Sequence, residues 1–125
     1  MTDRASSEVL VREALEMLDR EEISEDVRTR AAAFLARQAL EISLQSIWEK
    51  RLAGGSLATM RAQLICLPSF LRDRELSRKV TVAYWALSRI CHYHVYELAP
   101  LDSEMRYWIE IVALFSKSQR AGIRG

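Results

Sequence analysis

The chain consists of long stretches in which hydrophobic residues recur every three to four positions, separated by short polar segments. The two-residue alternation typical of a half-buried strand is absent. Only 4 glycines and 2 prolines occur in 125 residues, and they fall between or after the periodic stretches. The pattern predicts five helices, over about 7–20, 25–52, 56–67, 73–98 and 103–116.

The predicted helix ends depend on capping residues and helix breakers. Ser and Asp accept hydrogen bonds from the first free N–H groups of a helix, whereas Gly and Pro end one. Short connections between long amphipathic helices favour antiparallel neighbours. We therefore expect one all-α domain over 1–125, an up-and-down bundle of four to five helices with a frayed tail over 117–125. The expected N-caps are Ser6 or Ser7, Ser24, and Asp102 or Ser103, and the expected stops are Gly54-Gly55 and Pro68.

Composition is typical of a folded, soluble protein, with 50% hydrophobic and 28% charged residues. The net charge of +1 provides no global basic field for nucleic acid, although a local basic patch remains an option. No apolar run approaches the ~20 residues of a membrane span, and the first ten residues lack a signal-peptide core. We expect a cytoplasmic protein without a membrane partner, in which Cys66 and Cys91 are reduced core thiols.

The fourth predicted helix has two unlike faces. One face is apolar apart from a histidine, and the opposite face mixes aromatic side chains with Arg and His, a composition typical of a surface that meets a partner or substrate. The apolar face carries Val80, Tyr84, Leu87, Cys91, His94 and Leu98. The opposite face carries Val82, Trp85, Arg89, His92 and Tyr96.

Arg89 and His94 do not share a face if this helix is straight, because five residues turn it by about 140°. A π-type irregularity could unite them, and so could a two-fold dimer in which Arg89 of one copy approaches His94 of the other. We favour the dimer because it needs no distortion. His92, three residues from Arg89, shares its face within one chain.

The run RICHYHVY, residues 89–96, matches the pattern R-x4-H-x-Y. This pattern resembles the signature of HEPN domains, particularly the ribonuclease toxins paired with minimal nucleotidyltransferases. The stretch RAAAFLARQALEISLQSIW also looks like the long Ala-rich early helix of those domains. The resemblance covers most of the chain in architecture but only eight residues in motif. The chain departs from the family at Ile90, where members often carry Asn or Asp.

The resemblance implies a HEPN-like fold and metal-independent RNA cleavage without a cofactor. Arg89 would hold the phosphate in a bidentate grip, and His94 would act as base or acid. The products would be a 2′,3′-cyclic phosphate and a 5′-hydroxyl. The implied protein is an endoribonuclease, a toxin or defence effector, working as a homodimer with the site in the inter-subunit cleft. An antitoxin such as a nucleotidyltransferase is the implied partner.

Four further residues are auxiliary or RNA-contacting candidates. Tyr96 resembles the tyrosine that a partner nucleotidyltransferase modifies with AMP, and it could also contact RNA or orient His94. His92 is an alternative base, and Tyr93 and Trp85 are possible RNA contacts. For Trp85 we favour packing over base stacking, as for its neighbour Tyr84. No metal is expected at the His-Tyr-His run, because residues i and i+2 of a helix point about 200° apart.

Two other hypotheses remain. The first is a HEPN domain without catalysis that binds nucleic acid or protein, which Ile90 favours. The second is a plain helical adaptor in which the motif is coincidental and the aromatic face is a dimer interface.

Overall fold

The computed structural model describes residues 3–51, 59–92 and 100–124. Within these ranges the chain is helical and contains no strand, which confirms the all-α prediction. A short 3-10 helix, Leu67–Ser69, follows the third helix. The five α-helices are α1 (Asp3–Leu18), α2 (Glu25–Arg51), α3 (Met60–Cys66), α4 (Arg74–Cys91) and α5 (Asp102–Arg124). No helix in these ranges has both the length and the apolar character needed to cross a bilayer.

Side-chain caps begin three of the helices. The predicted cap at Ser24 is confirmed, because its hydroxyl accepts a hydrogen bond from the Val27 N–H at 3.4 Å. Asp73 caps α4 in the same way, by accepting from the Leu76 N–H at 3.0 Å. Thr59 caps α3, which therefore begins at Met60 and not near position 56.

The predicted caps of α1 and α5 are wrong. Helix α1 begins at Asp3, so Ser6 and Ser7 lie inside it. Helix α5 begins at Asp102, and the Glu104 carboxylate accepts a hydrogen bond from the Leu101 N–H at 2.9 Å. This bond is the glutamate half of a capping box, in which the carboxylate of the third helical residue accepts from the N–H of the residue before the helix.

The far ends of two helices also differ from expectation. Helix α4 ends at Cys91 and not at Leu98. Helix α5 continues to Arg124, so the tail predicted to fray from Lys117 is helical in this structure.

Helix α2 is the central element and contacts α1, α4 and α5. Its first half is rich in fully buried alanines, and small side chains let α1 approach closely. Helix α1 runs antiparallel to α5, since Ser7 meets Ser116 while Asp19, just past the end of α1, pairs with Arg106. Farther along α2 the core is filled by Leu40, Leu44, Ile47 and Trp48.

Polar groups inside the core join helices that are distant in sequence. Ser7, Ser43 and Ser116, here called the serine cluster, lie on α1, α2 and α5 with their hydroxyl oxygens 2.7–3.0 Å apart. The Ser7 hydroxyl also donates to the Ala39 carbonyl at 3.1 Å. These bonds satisfy polar groups that would otherwise be costly to bury, and they fix the register of three helices.

Candidate functional site

Helix α4 presents the two faces that the sequence predicts. Val80, Tyr84 and Leu87 are buried, whereas Val82, Arg89 and His92 are exposed. Trp85 lies on the outer face with 49% of its surface exposed, and its ring packs edge-to-face on Tyr84, so neither packing nor base stacking is decided for it. The packing interpretation is confirmed for Tyr84, which is 8% exposed.

The carboxyl end of α4 carries the first candidate residues. The His92 N–H donates to the carbonyls of Arg89 and Ile90, and His92 is the C-cap with φ −117° and ψ 12°. The helix ends here within a run of aromatic, histidine and β-branched residues, 92–96, that have low helix propensity. The angle of about 140° between Arg89 and His94 holds only for one straight helix through both residues; α4 ends at Cys91, and His94 lies outside the described residues, so this prediction stays untested.

Arg89 and His92 are both exposed on this last turn. Among the described residues, no carboxylate forms an ion pair with Arg89. A cation in the last turn also suits the negative end of the helix dipole. The five N–H donors of Arg89 are therefore accessible to an anionic group such as a phosphate. The other motif residues, Tyr93, His94 and Tyr96, lie outside the described residues.

Ile90 is part of the core, with 8% of its surface exposed. The side chain at this position therefore points away from the outer face on which Arg89 lies. Ile90 therefore contributes packing to the core and has no side-chain hydrogen-bonding group to offer to Arg89.

A polar cluster that the sequence reasoning missed lies between α2 and α4. The Tyr84 hydroxyl donates to the Glu41 carboxylate at 3.3 Å, and the Arg37 guanidinium lies 3.8 Å from the same carboxylate. Cys91 is close enough for both charges to act on its thiol. The available signal was the i, i+4 Arg37–Glu41 pair on an otherwise apolar stretch of α2.

This environment keeps the phenol and the thiol neutral. Burial raises the pKa of Tyr84, and the negative charge of Glu41 raises it further. Burial likewise raises the pKa of Cys91, an effect that Arg37 opposes and Glu41 reinforces. A thiol with a raised pKa is a poor nucleophile at neutral pH. Among the described residues at this end of α4, Arg89 and His92 are therefore better candidates for a functional role than the Cys91 thiol.

An open groove of about 380 Å³ separates α3 from the outer face of α4. Arg61, Leu64 and Ile65 line one side, and Thr81 and Trp85 line the other. The groove therefore combines an aromatic ring, an apolar surface and one cation. Its aromatic residue, Trp85, lies one turn before Arg89 on α4.

Cys66 and Cys91 are free thiols and partly buried. In the part of the chain that the structure describes, no three His, Cys, Asp or Glu side chains are grouped so as to hold a metal ion. Comparison with models of protein families, with characterised proteins and with solved structures gave no match.

Proposed function

We propose that the chain is a HEPN-type, metal-independent endoribonuclease whose site is built at the carboxyl end of α4. The observation that supports this most directly is the exposure of Arg89, which no described carboxylate neutralises, beside the exposed His92. Arg89 is the first residue of the R-x4-H-x-Y pattern, His92 lies at one of its unspecified positions, and the pattern occurs late in an all-helical chain.

The proposed reaction needs one phosphate-binding cation, one base and one acid. The base removes the proton of a ribose 2′-hydroxyl while the 2′-oxygen forms a bond to the adjacent phosphorus. The bond between phosphorus and the 5′-oxygen breaks, and the acid protonates that oxygen. Arg89 stabilises the negative charge that grows on the phosphate oxygens. The motif assigns the base to His94, whereas position on the last turn of α4 favours His92.

We further propose a homodimer in which two such ends of α4 form one cleft. Base and acid would then come from different chains. A toxin of this kind requires restraint in the cytoplasm, and Tyr96, two residues from His94, is the proposed point of control. A bulky anionic adduct there would repel RNA phosphates.

A non-catalytic HEPN module that binds nucleic acid or protein is the second candidate. The burial of Ile90 favours it, because a polar residue at this position is often present in the family. The two candidates differ in one measurable property, which is the chemical change of RNA.

The test is cleavage of RNA in EDTA, followed by analysis of the product ends. Wild type should leave 2′,3′-cyclic phosphate. Arg89→Ala should lower the cleavage rate about 100-fold or more. Arg89→Lys should retain only part of the wild-type rate, because lysine lacks the guanidinium group that can bind a phosphate through two hydrogen bonds. The matched control is Arg12→Ala, which removes an exposed arginine of α1 and should leave the rate unchanged.

Separate His92→Ala and His94→Ala variants assign the base. The variant that loses the steep acid limb of the pH–rate profile has lost the catalytic histidine. Equal activity in every variant would show contamination and refute the proposal. RNA binding without cleavage would support the non-catalytic candidate instead.

A further inference from the structure

We propose that the groove between α3 and α4 binds single-stranded RNA, with a base stacked on Trp85 and a phosphate held by Arg61. This inference rests on the proposed function, for which it specifies the strandedness of the substrate and a binding surface next to the site. It concerns residues outside the R-x4-H-x-Y motif except for Arg89.

Trp85 has the exposure that a stacking residue requires. It is 49% exposed and lines the groove, although the opposite face of the same helix is packed into the core. Base–aromatic stacking needs an accessible ring face and tolerates any base. Trp48, by contrast, is fully buried with its indole N–H bonded to Gln63.

The indole is held in position by a chain of contacts from α2. Its ring packs edge-to-face on Tyr84, with ring centroids 5.2 Å apart at 81°. Tyr84 is itself anchored by its hydrogen bond to Glu41. A pre-positioned ring loses little conformational freedom when a base stacks on it, and this favours binding.

The charges around the groove fit a phosphate backbone. Arg61 lines the groove and is exposed, and among the described residues no carboxylate pairs with it. Arg89 lies one turn beyond Trp85, about 6 Å along the helix axis. Arg78 lies farther away and is engaged by Glu75 at 2.5 Å. A strand that contacts Arg61 and stacks on Trp85 would therefore continue toward Arg89.

The size of the groove and the form of the platform favour a single strand. A volume of about 380 Å³ is within the range of ~300–1,000 Å³ typical of sites for one small organic group, such as a nucleotide. Paired bases are stacked inside a duplex and cannot offer a face to Trp85, whereas unpaired bases can. Arg61 and Arg89, which form no ion pair with a carboxylate in the described part of the chain, favour a polyanion over a protein partner, for which the exposed Ile65 would otherwise be suited.

The experiment measures binding of a fluorescently labelled 2′-O-methyl oligouridine of about ten nucleotides, a length within the usual site sizes. This probe has no free 2′-hydroxyl and cannot be cleaved by the proposed reaction. Anisotropy titrations at several salt concentrations compare wild type with Trp85→Ala, Trp85→Phe and Arg61→Ala. The matched control is Phe34→Ala, because Phe34 is a similarly exposed aromatic residue, 46%, on α2.

Each variant has its own expected signature. Trp85→Ala should weaken binding roughly 5- to 150-fold with an unchanged salt slope, and Trp85→Phe should retain more affinity. Arg61→Ala should reduce the slope of log K against log salt by about 0.7, the value for one phosphate contact of a single strand. Phe34→Ala should bind like wild type, and a duplex of equal length should compete poorly.

Unchanged affinity in Trp85→Ala, or equal binding of the duplex, would overturn the inference. A loss of self-association in Trp85→Ala with full RNA affinity would do so too, because it would identify the groove as a protein interface. The experiments distinguish a failure of the proposed RNA-binding groove from a failure of the proposed ribonuclease activity. RNA cleavage by wild type with an unchanged KM in Trp85→Ala would reject the groove alone. Binding through Trp85 without any cleavage would reject the enzyme alone.

Discussion

The serine cluster allows a quantitative prediction about stability. Ser7 is completely buried, and its hydroxyl is within hydrogen-bond distance of Ser43, Ser116 and the Ala39 carbonyl. One hydroxyl can donate once and accept twice, so Ser7 can satisfy all three contacts by donating to Ala39 and accepting from the other two. Replacing Ser7 by Ala removes the hydroxyl that contacts all three groups, while those groups stay buried.

The expected cost follows from two opposing effects. Leaving buried polar groups unpaired costs about 1–3 kcal/mol. Ala is a better helix former than Ser, which offsets about 0.5 kcal/mol. The remaining Ser43–Ser116 contact at 3.0 Å limits the loss, because those two hydroxyls can still bond to each other. Ser7→Ala should therefore lower the free energy of unfolding by about 0.5–2.5 kcal/mol.

The triple variant, in which Ser7, Ser43 and Ser116 are all Ala, should behave differently. It leaves no hydroxyl of the cluster without a partner, since none remains. Its cost should therefore be smaller than the sum of the three single costs by about 1–3 kcal/mol. Non-additivity of this size is the signature of a mutually bonded cluster, and three independent serines would not produce it.

Urea unfolding followed by circular dichroism measures all four variants against wild type. The control is Ser103→Ala, an exposed serine of α5, which should change the free energy of unfolding by less than about 0.5 kcal/mol. Strict additivity of the three single variants would refute the cluster. A Ser7→Ala effect as small as that of the control would refute the assigned hydrogen bonds.

Two further predictions concern other buried groups. In a Cys66→Ser background, the reaction of Cys91 with a disulfide reagent should have a midpoint above the ordinary thiol pKa of about 8.5, because burial raises the pKa of Cys91. The unfolded chain then releases this proton first, so stability should fall as pH rises from about 8.5 toward the folded pKa; a midpoint at or below 8.5 would contradict this. Trp48→Phe removes the indole N–H that donates to Gln63 at 2.7 Å and should destabilise the fold by about 1–3 kcal/mol in urea unfolding. A second substitution, Gln63→Leu, should recover part of that loss, and no recovery would count against the bond.

The helices were predictable because their hydrophobic period and most of their breakers are local signals. The cap at Ser24 is one such signal, and the two faces of α4 are another. The misplacement of Ser7 has a different origin. A serine is equally favourable as an N-cap and as a buried hydrogen-bonding residue when only its neighbours in the sequence are considered. Ser7 is buried and hydrogen-bonded because α2 and α5 pack against α1 at this position. Contacts between residues as distant as 7 and 116 leave no periodic trace in the sequence.

Of the candidate site, only the placement of Arg89, His92 and Trp85 can be compared with the sequence, because Tyr93, His94 and Tyr96 lie outside the described residues. The spacing of Arg89 and His92 on one helix face is a local property, and the structure places both on the exposed last turn of α4. The Glu41–Tyr84–Trp85 contacts were not predictable, because they depend on how α2 packs on α4. The sequence placed Trp85 on the outer face of α4, but its edge-to-face contact with Tyr84 and its position beside α3 depend on the tertiary packing.

The end of α4 at Cys91 changes what a test of oligomeric state can decide. A straight helix would make a dimer the only undistorted way to bring Arg89 and His94 together. Because α4 ends at Cys91 with His92 as its C-cap, the argument from a straight helix no longer favours a dimer over catalysis within one chain. A monomeric protein in sedimentation would therefore reject the proposed dimer and leave the proposed reaction standing. The rates of Arg89→Ala and Arg89→Lys depend on the reaction in either state, so these two variants decide whether the carboxyl end of α4 is an active site.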